Sequence, residues 1–239
     1  MSDEPRFGTD GVRGVANKEL TSFLALRLGM AAASVLGRHS VHNKVVVGRD
    51  TRLSGEMLES AIVSGLSAMG ADVQLAGVIP TPGVARSILK VGASAGAVIS
   101  ASHNPFEDNG IKFFGADAHK LSDEVEEEIE LALENWSDLP FATPEKIGRI
   151  KWNNELSHSY SSDVLKCGPD LTGLKIVLDC ANGAASAFAH AIFSQLGATV
   201  LTIHNSPDGV NINLNCGSTR TSDVRNKVVA TGADVGLAF

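Results

Sequence analysis

Residues 98–114 read V-I-S-A-S-H-N-P-F-E-D-N-G-I-K-F-F. A hydroxyl (Ser102), an imidazole (His103) and an ammonium (Lys112) lie close together between two apolar runs. A serine is a weak nucleophile until a base or a metal assists it. A lysine beside it can hold an anion, or pass a proton when its pKa is lowered. Two further stretches place cations among glycines: F-G-T-D-G-V-R-G at 7–14 and G-R-D-T-R-L-S-G at 48–55. Glycine lets backbone N–H groups approach a phosphate while a guanidinium binds it in bidentate fashion. Taken together, these residues suit the handling of phosphate on Ser102. Two plainer readings stand beside this one. The 100–104 stretch also fits a Ser/Asn-rich turn with no chemistry, and Asp50 pairing with Arg49 or Arg52 would merely shape a turn.

A second serine needs weighing. G-A-S-A-G at 92–96 matches the G-x-S-x-G nucleophile elbow, which requires a strand before the serine and a helix after it. Here a helical pattern through Lys90 comes first and a strand pattern follows. Small residues at a helix-to-strand turn explain the match better. Ser102 has the opposite setting, at the carboxyl end of an apolar run. Pro105 disfavours helix at Asn104 and keeps the loop open. Asn109-Gly110 reads as a turn that folds Lys112 back toward that loop.

The elements that must position these groups follow from periodicity. Thr21 reads as an N-cap, with Leu24, Leu28, Ala31 and Val35 at helical spacing behind it. Val45-Val46-Val47 reads as a buried strand ending at Gly48-Arg49-Asp50, and Ser54 as the cap of a second helix. A strand over 71–77, a helix from Pro80-Thr81-Pro82 to Lys90, and strands over 95–101 and 111–114 follow. An acidic helix then starts at Ser122. Residues 140–151 read as a linker. A second alternation runs from a helix at 155–166 through strands at 174–179 and 198–204 to a last strand at 233–239. Alternating strands and helices imply α/β units with mostly parallel pairing, whose ligands sit at the carboxyl ends of strands.

Composition narrows the function classes. The net charge is −7, so bulk electrostatics give no support to a nucleic-acid partner. An acidic chain that binds an anion must collect its cations locally. No apolar stretch approaches the length of a membrane span. The first residues, M-S-D-E-P-R-F-G, are too polar for a signal peptide. Cys167, Cys180 and Cys216 are widely spaced and make no zinc pattern. Reduced thiols in a cytoplasmic protein are the simple reading.

The three motifs, G-T-D-G-V-R-G, G-R-D-T-R-L-S-G and I-S-A-S-H-N-P-F-E-D-N-G-I-K-F-F, resemble the α-D-phosphohexomutase family. D-C-A-N-G-A at 179–184 and D-G-V-N-I-N at 208–213 are similar to it as well, in the family's order. Several long motifs agreeing at once are far more specific than one short pattern. The resemblance implies two consecutive phosphohexomutase-type α/β domains with mixed, mostly parallel sheets. The first, over 1–145, carries the phosphoserine loop; the second, over 152–239, is incomplete. It also implies that Ser102 is phosphorylated in the resting enzyme and donates its phosphate to a sugar phosphate. The resulting bisphosphate turns over and returns its other phosphate. Mg²⁺ then sits on the phosphoserine oxygen together with aspartates of a D-G-D-x-D-R loop. By matching positions, Arg13, Lys112 and His103 join Ser102 as catalytic residues, and Thr9, Arg13, Arg49 and Asn104 as phosphate or substrate contacts.

Within the family, the motifs are most similar to the branch that interconverts glucosamine 6-phosphate and glucosamine 1-phosphate. The phosphomannomutase and phosphoglucomutase branches are the alternative. The chain stops at Phe239, where the family's strand runs into D-G-D-x-D-R, so residues 1–239 alone are expected to have little or no mutase activity. A non-catalytic phosphosugar-binding module and a serine hydrolase acting through Ser102 or Ser94 remain as other function classes. An incomplete second domain would also expose apolar surface and favour a homo-oligomer.

Overall fold

Short apolar runs that alternate with helical periods fold here into two sheets flanked by helices. The computed structural model describes residues 7–8, 11–39 and 43–239. The first sheet joins seven strands in the order β1-β2-β6-β5-β3-β4-β7. These are β1 (Phe7–Gly8), β2 (Gly11–Val15), β3 (Lys44–Arg49), β4 (Asp72–Val78), β5 (Ala95–Ile99), β6 (Asp108–Gly115) and β7 (Ile150–Trp152). The second sheet, in the order β10-β8-β9, joins β8 (Lys175–Asp179), β9 (Thr199–Ile203) and β10 (Val235–Ala238). Both pairings of the second sheet are parallel. In the first, β3, β4, β5 and β7 pair in parallel, whereas β1, β2 and β6 enter antiparallel. The first sheet is therefore mixed, with three parallel and three antiparallel pairings, and the second is wholly parallel, so parallel pairs predominate only over the two sheets together.

Val45, Val46 and Val47 are wholly buried, as a central strand covered on both faces demands. Burial of each such side chain contributes roughly 1.5–3 kcal/mol. On one face, α1 (Ser22–Leu36), α2 (Ser54–Ala68) and α4 (Asp123–Glu134) pack over Val45, Val47, Ile99 and Ile111. The contact between α1 and α2 is close because Gly65 lies against α1; a Cβ there would sit 2.1 Å from the Leu26 carbonyl oxygen. The expected Thr21 cap is present, its side chain accepting the Leu24 N–H at 3.1 Å. This satisfies one of the donors that a helix start leaves open.

On the other face, α3 (Thr81–Val91), α5 (Glu155–Cys167) and α6 (Ala189–Gln195) contribute to one cluster. It runs from Val46, Val84, Ile88 and Val98 to Leu156, Phe188 and Ile192, so α5 and α6 pack their apolar sides against the first sheet's layer, while Ile176 and Leu178 of the second sheet form a separate cluster. The remaining helix, α7 (Ser222–Thr231), packs on β8 and β10.

Three expectations change on inspection of the fold. The stretch read as a linker ends in β7, which pairs in parallel with β4 from Val73 to Leu75; three residues are too few to show a period. Ser54 opens α2 from inside, with Leu53 at the cap position. Asn109-Gly110 is no turn but lies within β6. The side chain of Asn109 is fully buried, its oxygen accepting the Gly110 N–H and its amide donating to Ser54 Oγ at 2.9 Å. Those bonds remove the reason for Asn-Gly to turn.

Candidate active site

The site is built where β5 ends. Ile99 is the last strand residue, and the chain returns as β6 from Asp108. Between them Ser102 and His103 are exposed. Both line a cavity of about 280 Å³, just under the roughly 300–1,000 Å³ usual for small-ligand sites. Its walls include Asp50, Val98 and Ser100, the start of α3 at Pro80 and Thr81, and Ala181, Gly183, Ile212 and Asn213 from the second sheet's loops. The amino end of α3 carries the positive end of its helix dipole toward that space.

Strand register fixes which side chains share the cavity's face. Val98 lies opposite Lys112, and Ser100 donates its N–H to Gly110 at 2.9 Å. Gly110 in turn lies opposite Arg13 on β2. Residues directly opposite one another project to the same side of a sheet. Arg13 and Lys112, both half-buried, therefore stand on the face of Val98 and Ser100, which both line the cavity. Position 110 must be glycine for this packing: a Cβ would sit 2.9 Å from Arg13 Cγ and 2.9 Å from the Ser100 carbonyl oxygen.

The Ser102 backbone is left-handed, with φ at 56°, a conformation that costs a non-glycine residue about 1–2 kcal/mol. The restraint that holds it comes from Arg52, whose side chain is wholly buried. Its Nε donates to Asp50 Oδ2 at 2.9 Å. Its Nη2 donates to the carbonyls of Ser102 and Asn104, each at 2.9 Å. Its Nη1 donates to Asp108 O at 3.1 Å and also to Pro105 O. All five guanidinium donors are thereby used. Asp50 Oδ2 also accepts from Ser100 Oγ at 2.6 Å, and that hydroxyl accepts the Ser102 N–H at 3.1 Å. From the other side, Asn213 Nδ2 donates to the carbonyls of Ser102 and Asn104 at 2.9 Å each.

The sequence-derived residues fall into three groups. Ser102 and His103 line the cavity, whereas Arg13 and Lys112 stand on the same sheet face but are not among the cavity's lining residues. Asn104 is held by Arg52 and Asn213 through its carbonyl and by Asp108 through its amide at 2.9 Å. Arg49 turns to α2, where it pairs with Glu56 at 2.9 Å and Glu59 at 3.3 Å. Thr9 lies outside the described residues. The decoy serine, Ser94, is largely buried and donates to Lys44 O at 2.9 Å, after a helix and before a strand. Arg52 and Asn213 were missed as partners of the loop. Arg52 acts across 50 residues and Asn213 across 111, and no local period carries that information.

Among the described residues, one group has metal-ligand types close together: Asp179, His204 and Cys216, with ligand atoms within 4.8 Å of one another. Its bonding argues against a metal. Asp179 already accepts the N–H groups of Ala181 and Gly217 at 2.9 Å each and faces His204 Nδ1 at 3.0 Å. The Cys216 thiol is pushed up to about 11 by burial and by the Asp179 and Asp223 charges. No described helix is long and apolar enough to cross a membrane.

A family model described as phosphoglucomutase/phosphomannomutase, alpha/beta/alpha domain I, matches residues 4–139. The chain belongs to that family. Among curated relatives, the phosphoglucosamine mutase of Desulforamulus reducens is 55% identical over 235 residues, covering 97% of this chain and 53% of that protein. The phosphoglucosamine mutase of Clostridium acetobutylicum is 51% identical over 239 residues, covering 98% of this chain and 52% of that one. A solved phosphoglucomutase/phosphomannomutase family protein from Burkholderia thailandensis superposes with a TM-score of 0.84 at 28% identity, over 98% of this chain and 52% of that chain. The chain spans about half the length of the curated relatives it matches. Membership in the family fits a cavity bounded by one sheet's serine loop and by loops of a second, shorter sheet.

Proposed function

We propose that this chain supplies the serine-bearing half of a cytoplasmic phosphoglucosamine mutase, which interconverts glucosamine 6-phosphate and glucosamine 1-phosphate. Units 1–145 and 152–239 act as its first two domains. The observation that carries the reading is Ser102 itself: exposed, at a strand's carboxyl end, in a left-handed backbone, on the edge of a face that bears Arg13 and Lys112. In the forward half-reaction, the phosphoserine P–O bond breaks while a P–O bond forms to a sugar hydroxyl oxygen. The sugar gives up its hydroxyl proton and Ser102 Oγ takes one back. Lys112 is proposed as the group that returns it, and Arg13 as the cation that holds the moving phosphoryl group. Such transfer asks a protein mainly for positioning and charge stabilisation. The bisphosphate then presents its other phosphate to Ser102, and the same bonds exchange in reverse.

The resemblance also implies Mg²⁺, and the described residues beside Ser102 do not complete a site for it. The carboxylates beside Ser102 are committed, Asp50 to Arg52 and Ser100, Asp108 to Asn104. D-G-D-x-D-R does not occur in this sequence. What this half offers a cation is the oxygens of the Ser102 phosphate. Substrate preference for the amino sugar is supported by relatives bearing the phosphoglucosamine mutase name. The test is a comparison of kcat/KM for glucosamine, glucose and mannose phosphates with the full-length protein. A preference for glucosamine phosphate is expected; equal or better use of mannose phosphate would reassign the substrate.

A further inference from the structure

The loop between β5 and β6 makes few backbone hydrogen bonds of its own, yet it must hold Ser102 where phosphate is exchanged. Its carbonyls are held instead by two side chains that are distant in sequence and come from different sheets. Arg52 Nη2 and Asn213 Nδ2 donate to the same two oxygens, Ser102 O and Asn104 O. Arg52 belongs to the turn before α2. Asn213 belongs to the segment after β9 and is itself left-handed, at φ 59°. Two neighbouring bonds dock the turn before α2 onto the second unit: Leu53 N–H to Gly209 O at 2.8 Å in Asn213's own segment, and Thr51 Oγ1 to Asn182 O at 2.6 Å in the loop after β8. The serine loop is thus completed only when the second unit sits against the first.

We propose that Arg52 and Asn213 are positioning residues for phosphoryl transfer, a two-sided grip that makes the geometry of Ser102 depend on docking of the second unit. Neither residue exchanges phosphate or protons. Each acts through the Ser102 peptide, because a carbonyl held from two directions cannot rotate. Misplacement of a reacting group by about 1 Å can cost about 100-fold in rate. The inference rests on the reading of Ser102 as the phosphate carrier.

The experiment compares wild type, Asn213→Gly and Arg52→Lys in the full-length protein. Glycine keeps the left-handed backbone accessible while removing both donors. Lysine keeps the charge beside Asp50 but cannot span the four carbonyls. Asn213→Gly is expected to lower kcat by about 10-fold with KM within about twofold, the pattern of a loss felt in the transition state. Amide exchange at 102–108 should quicken at the same time, with the rest of the first sheet unchanged. Arg52→Lys should lower kcat by about 100-fold or more; if it does not fold, Asn213→Gly decides the matter. Wild-type kcat in Asn213→Gly, or unaltered exchange at 102–108, overturns the positioning role alone. Absence of any mutase turnover in wild type overturns the phosphate-carrier reading, and this proposal with it.

Discussion

Two strand ends in this molecule carry similar residues and opposite consequences. β5 ends at Ile99 and leads to Ser102; β8 ends at Asp179 and leads to Ala181 and Asn182. Both loops hold non-glycine residues at positive φ: 56° at Ser102, 51° at Ala181 and 50° at Asn182. At β8 every polar group turns inward. Asp179 is fully buried and takes two amides and His204, while Asn182 accepts Ser206 N–H and donates to Asn211 O. At β5 the same inward work falls to residues elsewhere, Asp50, Arg52 and Asn213, and Ser102 stays exposed at the cavity. Similar local strain therefore supports a closed junction in one place and a presented hydroxyl in the other. The difference lies in which residues satisfy the backbone.

Substitutions at the two loops should separate their roles. Ser102→Ala should lower mutase turnover of the full-length protein by at least about three orders of magnitude, as loss of a covalent nucleophile does. Unfolding in urea should move by less than about 0.5 kcal/mol, because the side chain is exposed. Arg52→Met should cost about 3–5 kcal/mol in the same measurement, since Asp50 and the loop carbonyls lose a buried charged partner. Asp179→Ala should cost about 2–4 kcal/mol by orphaning buried amides. A stability loss at Ser102 as large as that at Asp179 would erase the distinction between the two loops.

The cysteines give a milder test. Cys180 and Cys216 are buried and pushed up to about 11, first by burial and then by Asp179, whereas Cys167 is exposed. At pH 8 only about one thousandth of the buried thiols would ionise, so iodoacetamide should label Cys167 and spare the other two until the protein unfolds. The smallest effect is expected at Glu59, whose carboxyl is raised above its usual value by burial, with Arg49 pulling the other way. A raised acid contributes stability below its unfolded value and loses it as pH climbs through the folded one. Glu59→Gln should therefore gain on wild type in the same urea measurement as pH rises above the ordinary carboxylate range, and an unchanged or widening deficit there would contradict the raised carboxyl.

What the sequence made legible was what repeats locally. The strand–helix alternation, the Thr21 cap and the exposed serine after an apolar run all follow from neighbours within a few residues. Asn109-Gly110 misled because the same dipeptide that favours a turn also fits a strand once the asparagine amide finds Ser54. Arg49 and Arg52 were indistinguishable by spacing. Only the fold shows Arg49 engaged by Glu56 and Glu59 and Arg52 by the serine loop. Asn213 was visible only as part of the D-G-V-N-I-N motif, with nothing to say that it reaches Ser102.

Phosphate exchange at Ser102 is read by mass spectrometry of the full-length protein after incubation with a hexose 1,6-bisphosphate, followed by glucosamine 6-phosphate. One phosphate should appear on the peptide containing Ser102, leave when the sugar phosphate is added, and be absent from Ser102→Ala. A Ser102 that never gains phosphate, or a phosphate there that the sugar cannot remove, would contradict the account.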